Sequence, residues 1–490
     1  MPHTRDVLSD LWGLLDGEPR LLERVTSGGP DVVLPSVFDV TGLAAGAVGA
    51  ASLAVAELAA ARRGSIDAAD VPPVTVGRRE AAAAFAGEAL LTPLGWELPP
   101  PWDPVAGDYR AADGWVRLHT NYAHHRAAAL EALGLATGAE RDAVATAVAA
   151  LPAAEVETRV VDAGGCAAAM HAPGEWAAHP HGRVALAEPA VAAACEGAVE
   201  VPAVLRSPGG ESGAAGRPPA GTRGRESAPL AGVRVLDLTR VIAGPVCTRV
   251  LAAWGADVVR VDPPGFAEVP ALLPETTAGK RRVALDLRDD AGRAAFERLA
   301  AGAHVVVAGL RPGALHELGY GTHALRELNP ALVVACVDAY GWHGPWAERR
   351  GFDSLVQMSS GIAAAGGAAA GLEDGAPRPL PAQALDHGAG WLLAAGVVRA
   401  LTRLAVDGEP SEVWGSLAGV AALLLGRPVP DGLGAPPPRW TDADTVRDDT
   451  AWGPVRRVPC PGTVGGERGI WTLPAGPLGT DDPRWNDHAP

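Results

Sequence analysis

The segment Leu385-Asp386-His387-Gly388-Ala389-Gly390 stands directly before the apolar run WLLAAGVVRALTRLAV. A carboxylate at a helix start, beside glycines, lies where backbone N–H groups point and where a substrate can approach closely. Such a carboxylate can be a nucleophile. The same pattern also describes a plain N-cap, with Asp386 closing the first turn of a buried helix. A second cluster, Gly279-Lys280-Arg281-Arg282, precedes the strand-like VALDL. Its cations are either solvated or grouped to hold a phosphate. A third feature is the turn RVIAGPVC over 240–247, followed by a strand ending in Asp262. That spacing imitates a dinucleotide fold. The turn has Gly244 but not the other glycines of GxGxxG, so a pyrophosphate cannot approach it in the NAD manner.

These residues need elements to hold them. VRVLDLT (233–239), ADVVRVD (256–262), RRVALDL (281–287), HVVVA (304–308) and LVVACV (332–337) read as buried strands. Helices are expected between them, one over about 245–254 with Pro245 in its first turn and one opened by Asp289 and Asp290. Short β-branched runs separated by helices predict βαβ units and a parallel sheet. Before residue 205 the pattern is mostly helical, over 42–62, 80–90, 124–150 and 173–178. One hairpin is expected in DYRAADGWVRLHTN, turning at Asp113-Gly114.

Length and composition bound the rest. A chain of 490 residues predicts two to four domains. Residues 206–228, without any aliphatic side chain beyond Ala save for the flanks, read as a flexible linker. This divides the chain into a small-domain-like portion at 1–205, the linker at 206–228, a Rossmann-like portion at 229–426 and a Pro/Gly/Trp-rich segment at 427–490 with little regular structure. The expected fold is α/β, a Rossmann-like parallel sheet domain plus a mainly helical smaller domain. The 41 Lys and Arg stand against 57 Asp and Glu, a net charge of −16. Such a surface repels phosphate backbones, so no nucleic-acid partner is expected. Five widely spaced cysteines without CxxC argue against a disulfide framework or a zinc site, and fit the cytoplasm. The N-terminus does not read as a signal peptide. LAAGAVGAASLAVAELAAA is interrupted by Glu57 and reads as a buried helix, so no membrane association is expected.

Several strings together resemble the class III CoA-transferases, the CaiB/BaiF group that includes formyl-CoA transferases and α-methylacyl-CoA racemases. They are PLAGVRVLDLTRVIAGPVCTRVLAAWGADVVRVDPP, GKRRVALDLRDDAGR, GLRPGALHELGYG, LNPALVVACVDAYGWHGPWAERRGFDSLVQMSSGIA and PLPAQALDHGAGWLLAAGVVRAL. Five in the right order, over about 229–405, make the likeness specific. VLPSVFDVTGLAAGAVGAASLAVAELAAARRG is similar to the catalytic-aspartate helix, with Asp39 as a degenerate counterpart of Asp386. DGWVRLHTNYAHHRAAALEALGL and EVETRVVDAGGCAAAMHAPGEWAAHPHG resemble the family's smaller domain, so the usual domain order is exchanged. Gly309 and Leu310 stand where relatives often carry an Asn and an aromatic.

The resemblance implies CoA transfer between carboxylic acids, with Asp386 as nucleophile through an aspartyl–acyl anhydride. Gly388 and Gly390 are then candidates to expose oxyanion-binding N–H groups. Arg260, Lys280, Arg281 and Arg282 are candidates for CoA phosphate contacts. Coenzyme A enters as substrate; no tightly bound cofactor and no metal are expected, and the resemblance implies an interlocked homodimer. Two alternatives stay open. Racemisation needs a base on each face of the α-carbon, and Phe352 holds the position where racemases resembled here carry a His. A non-catalytic acyl-CoA-binding chain is the third reading.

Overall fold

Six short strands, four of them dominated by Val, Leu and Ala, line up as parallel neighbours, and a seventh strand closes one edge. The computed structural model describes residues 3–206, 228–429 and 431–486. The expected linker, apart from Arg206 and Ala228, lies outside the described residues. The sheet runs in the order Lys280–Ala284, Asp257–Asp262, Arg234–Leu238, Val305–Ala308, Val333–Asp338, Ser411–Ser416 and Val191–Cys195. All pairings are parallel except the last. Counted along the chain from Arg234, the six parallel strands follow the 3-2-1-4-5-6 order of a Rossmann sheet. The order reverses between Arg234–Leu238 and Val305–Ala308, which is where such sheets open a crevice at their strand ends.

The turn after Arg234–Leu238 leads into the helix Ala243–Ala253, with Gly244 and Pro245 in its first turn as expected. Asp289 caps the helix Asp290–Ala301 through the Gly292 N–H. The hairpin also forms: Gly107–Arg110 pairs with Trp115–Leu118.

The N-terminal part is not a separate helical body. Its strand Val191–Cys195 is the antiparallel edge of the main sheet. Its helix Val40–Ala61 packs along Ala384–Asp407 within one core. Both helices are long and apolar enough to cross a membrane, yet both are largely buried within the protein. A helix apolar on every side needs neighbours on every side, and these two supply one another's. Within the N-terminal part, the three-stranded sheet Gly107–Arg110, Trp115–Leu118 and Ala167–Ala169, with its helices, keeps a core of its own among the described residues.

The 427–490 segment holds more structure than its composition predicts. Val446–Thr450 and Gly453–Arg457 form a hairpin that pairs with Thr92–Pro93. Thr463–Val464 joins the strands Val25–Gly28 and Val74–Gly77. Gly453–Arg457 and Thr463–Val464 each take a partner strand hundreds of residues away in sequence.

Candidate active site

Asp386 is the third residue of the helix Ala384–Asp407 and is 8% exposed. It is not the N-cap. Gln383 holds that position without a side-chain bond, and the capping carboxylate comes from Asp353, on the helix Asp353–Ser359. Asp353 Oδ2 accepts the N–H of Leu385 at 2.8 Å and of Asp386 at 3.0 Å. Its other oxygen accepts from the Gln357 amide. With the first turn satisfied from outside, the Asp386 carboxylate has no hydrogen-bond partner among the described residues.

Asp386 instead borders two cavities of about 420 and 440 Å³. The first lies over the ends of three adjacent strands, bordered by Arg240, Gly309 and Asp338, at the reversal of strand order. The second runs between Phe85, Trp102, His119, Met358 and Leu380. Val241 and Phe352 also line both. Burial pushes the Asp386 carboxyl well above the ordinary range, and the neighbouring Asp353 and Glu88 charges push it further. Burial raises Asp353 to about 6, while its N–H and amide donors hold it back. Of the two, the carboxylate with donors ionises first and the one without keeps its proton longer. Asp386 is therefore a desolvated carboxyl whose ionisation is opposed by its surroundings.

The turn between the cavities is strained. Val241 has φ of 64°, a region that a β-branched residue rarely adopts. Its N–H donates to Glu268 Oε2 at 3.1 Å. Glu268 also accepts from the Tyr122 hydroxyl at 2.7 Å and from Arg260 Nη2 at 3.0 Å. One carboxylate thus ties the strained turn to the N-terminal part and to the sheet interior.

The four cations expected to meet CoA face elsewhere. Arg260 is fully buried between Asp262, at 2.8 Å, and Glu268. Lys280 is fully buried, its ammonium 2.9 Å from Asp237 Oδ2 and bonded to the Pro245 carbonyl. Arg281 pairs with Asp257 and donates to the Arg484 carbonyl. Arg282 pairs with Asp481 at 3.1 Å. Little water reaches Arg260 and Lys280 inside the sheet, so carboxylates must satisfy them, while Arg281 and Arg282 on the edge strand pair nearer the surface. Gly388 and Gly390 are also corrected. Both lie inside the helix, where an N–H bonds the preceding turn rather than a substrate. A Cβ on Gly388 would meet Val420 at 2.9 Å, and one on Gly390 the Ala243 carbonyl oxygen at 2.4 Å. These glycines let helices approach one another.

Asp39, the degenerate counterpart, does what Asp386 does not: its Oδ1 accepts the Gly42 N–H at 2.7 Å and caps its own helix.

Other groups complete the site. Arg240 lies over the Phe266 ring, 3.7 Å from its centroid, and 3.7 Å from Asp262. Arg350 Nη1 donates to the Gly164 carbonyl at 2.9 Å. Both line the first cavity with His124 and His125. His119 stacks on Phe352 with ring centroids 3.5 Å apart, and burial lowers it to about 3. His387 Nε2 is 2.9 Å from Glu88 Oε2, its ring stacked on Phe85. Only the Glu88 and His119 segments' distance along the chain hid them; nothing local marks either residue.

Residues 230–452 match the family model described as CoA-transferase family III. This part of the chain is thus similar to CoA-transferase family III. The chain is 32% identical over 198 residues to a formyl-CoA:oxalate CoA-transferase of Rhodopseudomonas palustris, covering 38% of this chain and 45% of the relative. It is 35% identical over 206 residues to a probable fatty acyl-CoA transferase of Mycobacterium tuberculosis, covering 39% and 51%. A crystal structure of a hypothetical protein from Mycobacterium tuberculosis is 35% identical, covers 41% of this chain and 56% of that one, and superposes with a TM-score of 0.37. The match to the curated relatives spans about half their length. The matched portion includes both Asp353 and Asp386, whereas Glu88, Trp102, His119 and Tyr122 lie in the N-terminal part outside it.

Proposed function

We propose that the chain is a CoA-transferase in which Asp386 is the nucleophile. The observation that carries this reading is a buried carboxyl, free of hydrogen-bond partners among the described residues, at the junction of two cavities. The Asp386 carboxylate attacks the thioester carbon of an acyl-CoA. The C–S bond breaks, giving an aspartyl–acyl anhydride and CoA thiolate. The thiolate attacks the aspartyl carbonyl, forming an aspartyl-CoA thioester and releasing the first acid. An incoming carboxylate attacks that thioester, and the thiolate then takes the new acyl group from the resulting anhydride. The carboxylate is regenerated and no net proton is consumed. A desolvated carboxylate suits this work, because water no longer competes for its lone pairs.

The first cavity suits the CoA side. Arg240 and Arg350 line it and replace the four interior cations as proposed phosphate contacts. Acyl-CoA and a free carboxylic acid are the proposed substrates. A cytoplasmic homodimer is the proposed state, carried by the family resemblance alone.

A second reading, α-proton exchange, is favoured by one observation. An imidazole, His119, lies against Phe352 and lines the same cavity as Asp386, with its Nδ1 buried and unpartnered. One experiment separates the two. Incubation with an acyl-CoA, a labelled acid and deuterated water gives labelled acyl-CoA if CoA is transferred. It gives α-deuterated acyl-CoA without label exchange if the proton is the substrate. Hydroxylamine trapping should mark Asp386 only in the first case.

A further inference from the structure

The second cavity has a character that the transfer reading leaves unassigned. Its volume of about 440 Å³ falls within the ~300–1,000 Å³ of pockets that hold drug-sized ligands. A two-carbon diacid fills only a few water volumes of ~30 Å³ each. The wall is made by Phe85, Trp102, Met358, Ala363 and Leu380, with prolines at 377, 379 and 381. Its one arginine is already paired, and the uncharged Ser354 Oγ and His119 Nδ1 are left, beside Asp386, without partners among the described residues. Arg117 pairs with Asp108 at 2.7 Å and lies over Trp102. Glu88 pairs with His387. Gln357 donates to Asp353 and accepts the Leu380 N–H at 2.7 Å. Asn121 accepts the Asp103 N–H and donates to the Pro101 carbonyl. His119 is uncharged at neutral pH. A second carboxylate on the acyl group would therefore enter a chamber whose cations are spent, at a desolvation cost that nothing offsets.

We propose that this chamber takes the acyl group of a bulky apolar monocarboxylic acid, and that the N-terminal part of the chain, through Phe85, Trp102 and His119, sets that specificity. The inference rests on the transfer reading for its chemistry but not for its binding. Burying each methylene favours binding by a few-fold, so four of them amount to about a hundredfold.

The test uses the full chain with Asp386→Asn, which cannot turn over, and calorimetric titration with CoA, succinyl-CoA and octanoyl-CoA. Octanoyl-CoA is expected to bind at least tenfold more tightly than either of the others. Ala382→Phe, added on the half-buried wall, should remove most of that advantage while leaving CoA affinity in place. Equal affinities for the three ligands, or tighter binding of succinyl-CoA, overturn the inference even if the wild-type chain transfers CoA. An octanoyl advantage in a wild-type chain that transfers no CoA upholds the chamber and sinks the transfer reading instead.

Discussion

Asp353 Oδ2 accepts the backbone N–H of Asp386 at 3.0 Å, so one aspartate caps the helix on which the other is displayed. Capping and chemistry are thereby divided between two carboxylates. A capping aspartate spends its oxygens on the helix. Asp386 spends none, and faces both cavities. The same closeness sets the electrostatics, since the charge of Asp353 opposes ionisation of Asp386.

Asp386→Asn is expected to abolish CoA transfer and to stabilise the fold at neutral pH. An amide cannot form the anhydride. The stability follows from linkage. The folded-state carboxyl ionises at a pH above its unfolded value of about 3.9, so its contribution is intact below that value and is lost as pH rises through the folded one. Asparagine has no charge to bury and suffers no such loss. Thermal melts should show equal Tm values for the two proteins near pH 4, and a gap favouring Asn that widens towards pH 8. A destabilised variant at pH 8 would contradict the placement of a desolvated carboxylate here.

Asp353→Asn should move the acid limb of the pH–rate profile to lower pH. Removing its negative charge lowers the Asp386 carboxyl, one of whose raising causes is that charge. Asn can still accept one N–H from the helix start. Asp353→Ala accepts none and should cost on the order of 1–2 kcal/mol in denaturant unfolding, the usual worth of a lost cap. A limb unmoved in Asp353→Asn would mean that the two groups do not titrate as a pair.

The sequence carried the sheet because buried parallel strands are written locally, as short β-branched runs. VRVLDLT and ADVVRVD became the adjacent strands Arg234–Leu238 and Asp257–Asp262. It marked Asp386 through its apolar helix and neighbouring glycines, and left open whether that residue caps the helix or meets a substrate. The partners were not legible. Asp353 reaches Leu385 from 32 residues away, and Glu88 reaches His387 from 299. The basic cluster misled for a definite reason. A run of Lys and Arg looks the same whether water or carboxylates of the fold receive it, and here the buried Asp237 and Asp257 and the half-buried Asp481 do.

Those interior ion pairs make a prediction opposite in kind to a binding role. Lys280→Met leaves Asp237 buried without its ammonium, and should destabilise the chain by about 3–5 kcal/mol, the cost of breaking one side of a buried pair. Arg240→Gln and Arg350→Gln should keep the fold and raise KM for acyl-CoA. Melting curves beside steady-state kinetics distinguish the two groups. A folded Lys280→Met with weakened CoA binding would return that residue to the site.

Gly390→Ala separates packing from oxyanion binding. If Gly390 served only to expose its N–H, alanine would keep that N–H and strengthen the helix by up to about 1 kcal/mol, with activity lost. If it serves helix packing, the new methyl meets the Ala243 carbonyl oxygen at 2.4 Å and Val246 at 2.8 Å. Backbone cannot rotate aside as a side chain can, so the helix Ala243–Ala253 must shift. Overpacking of this kind costs about 1–3 kcal/mol, which exceeds the gain in propensity. The expected result is a lower unfolding midpoint. Activity should fall as well, because that helix begins beside the strained Val241 turn that lines both cavities. Gly13, in the helix His3–Leu14, is the control: nothing lies within 4 Å of a Cβ there, and Gly13→Ala should be neutral or stabilising. A Gly390→Ala protein as stable as its Gly13→Ala counterpart would remove the packing account.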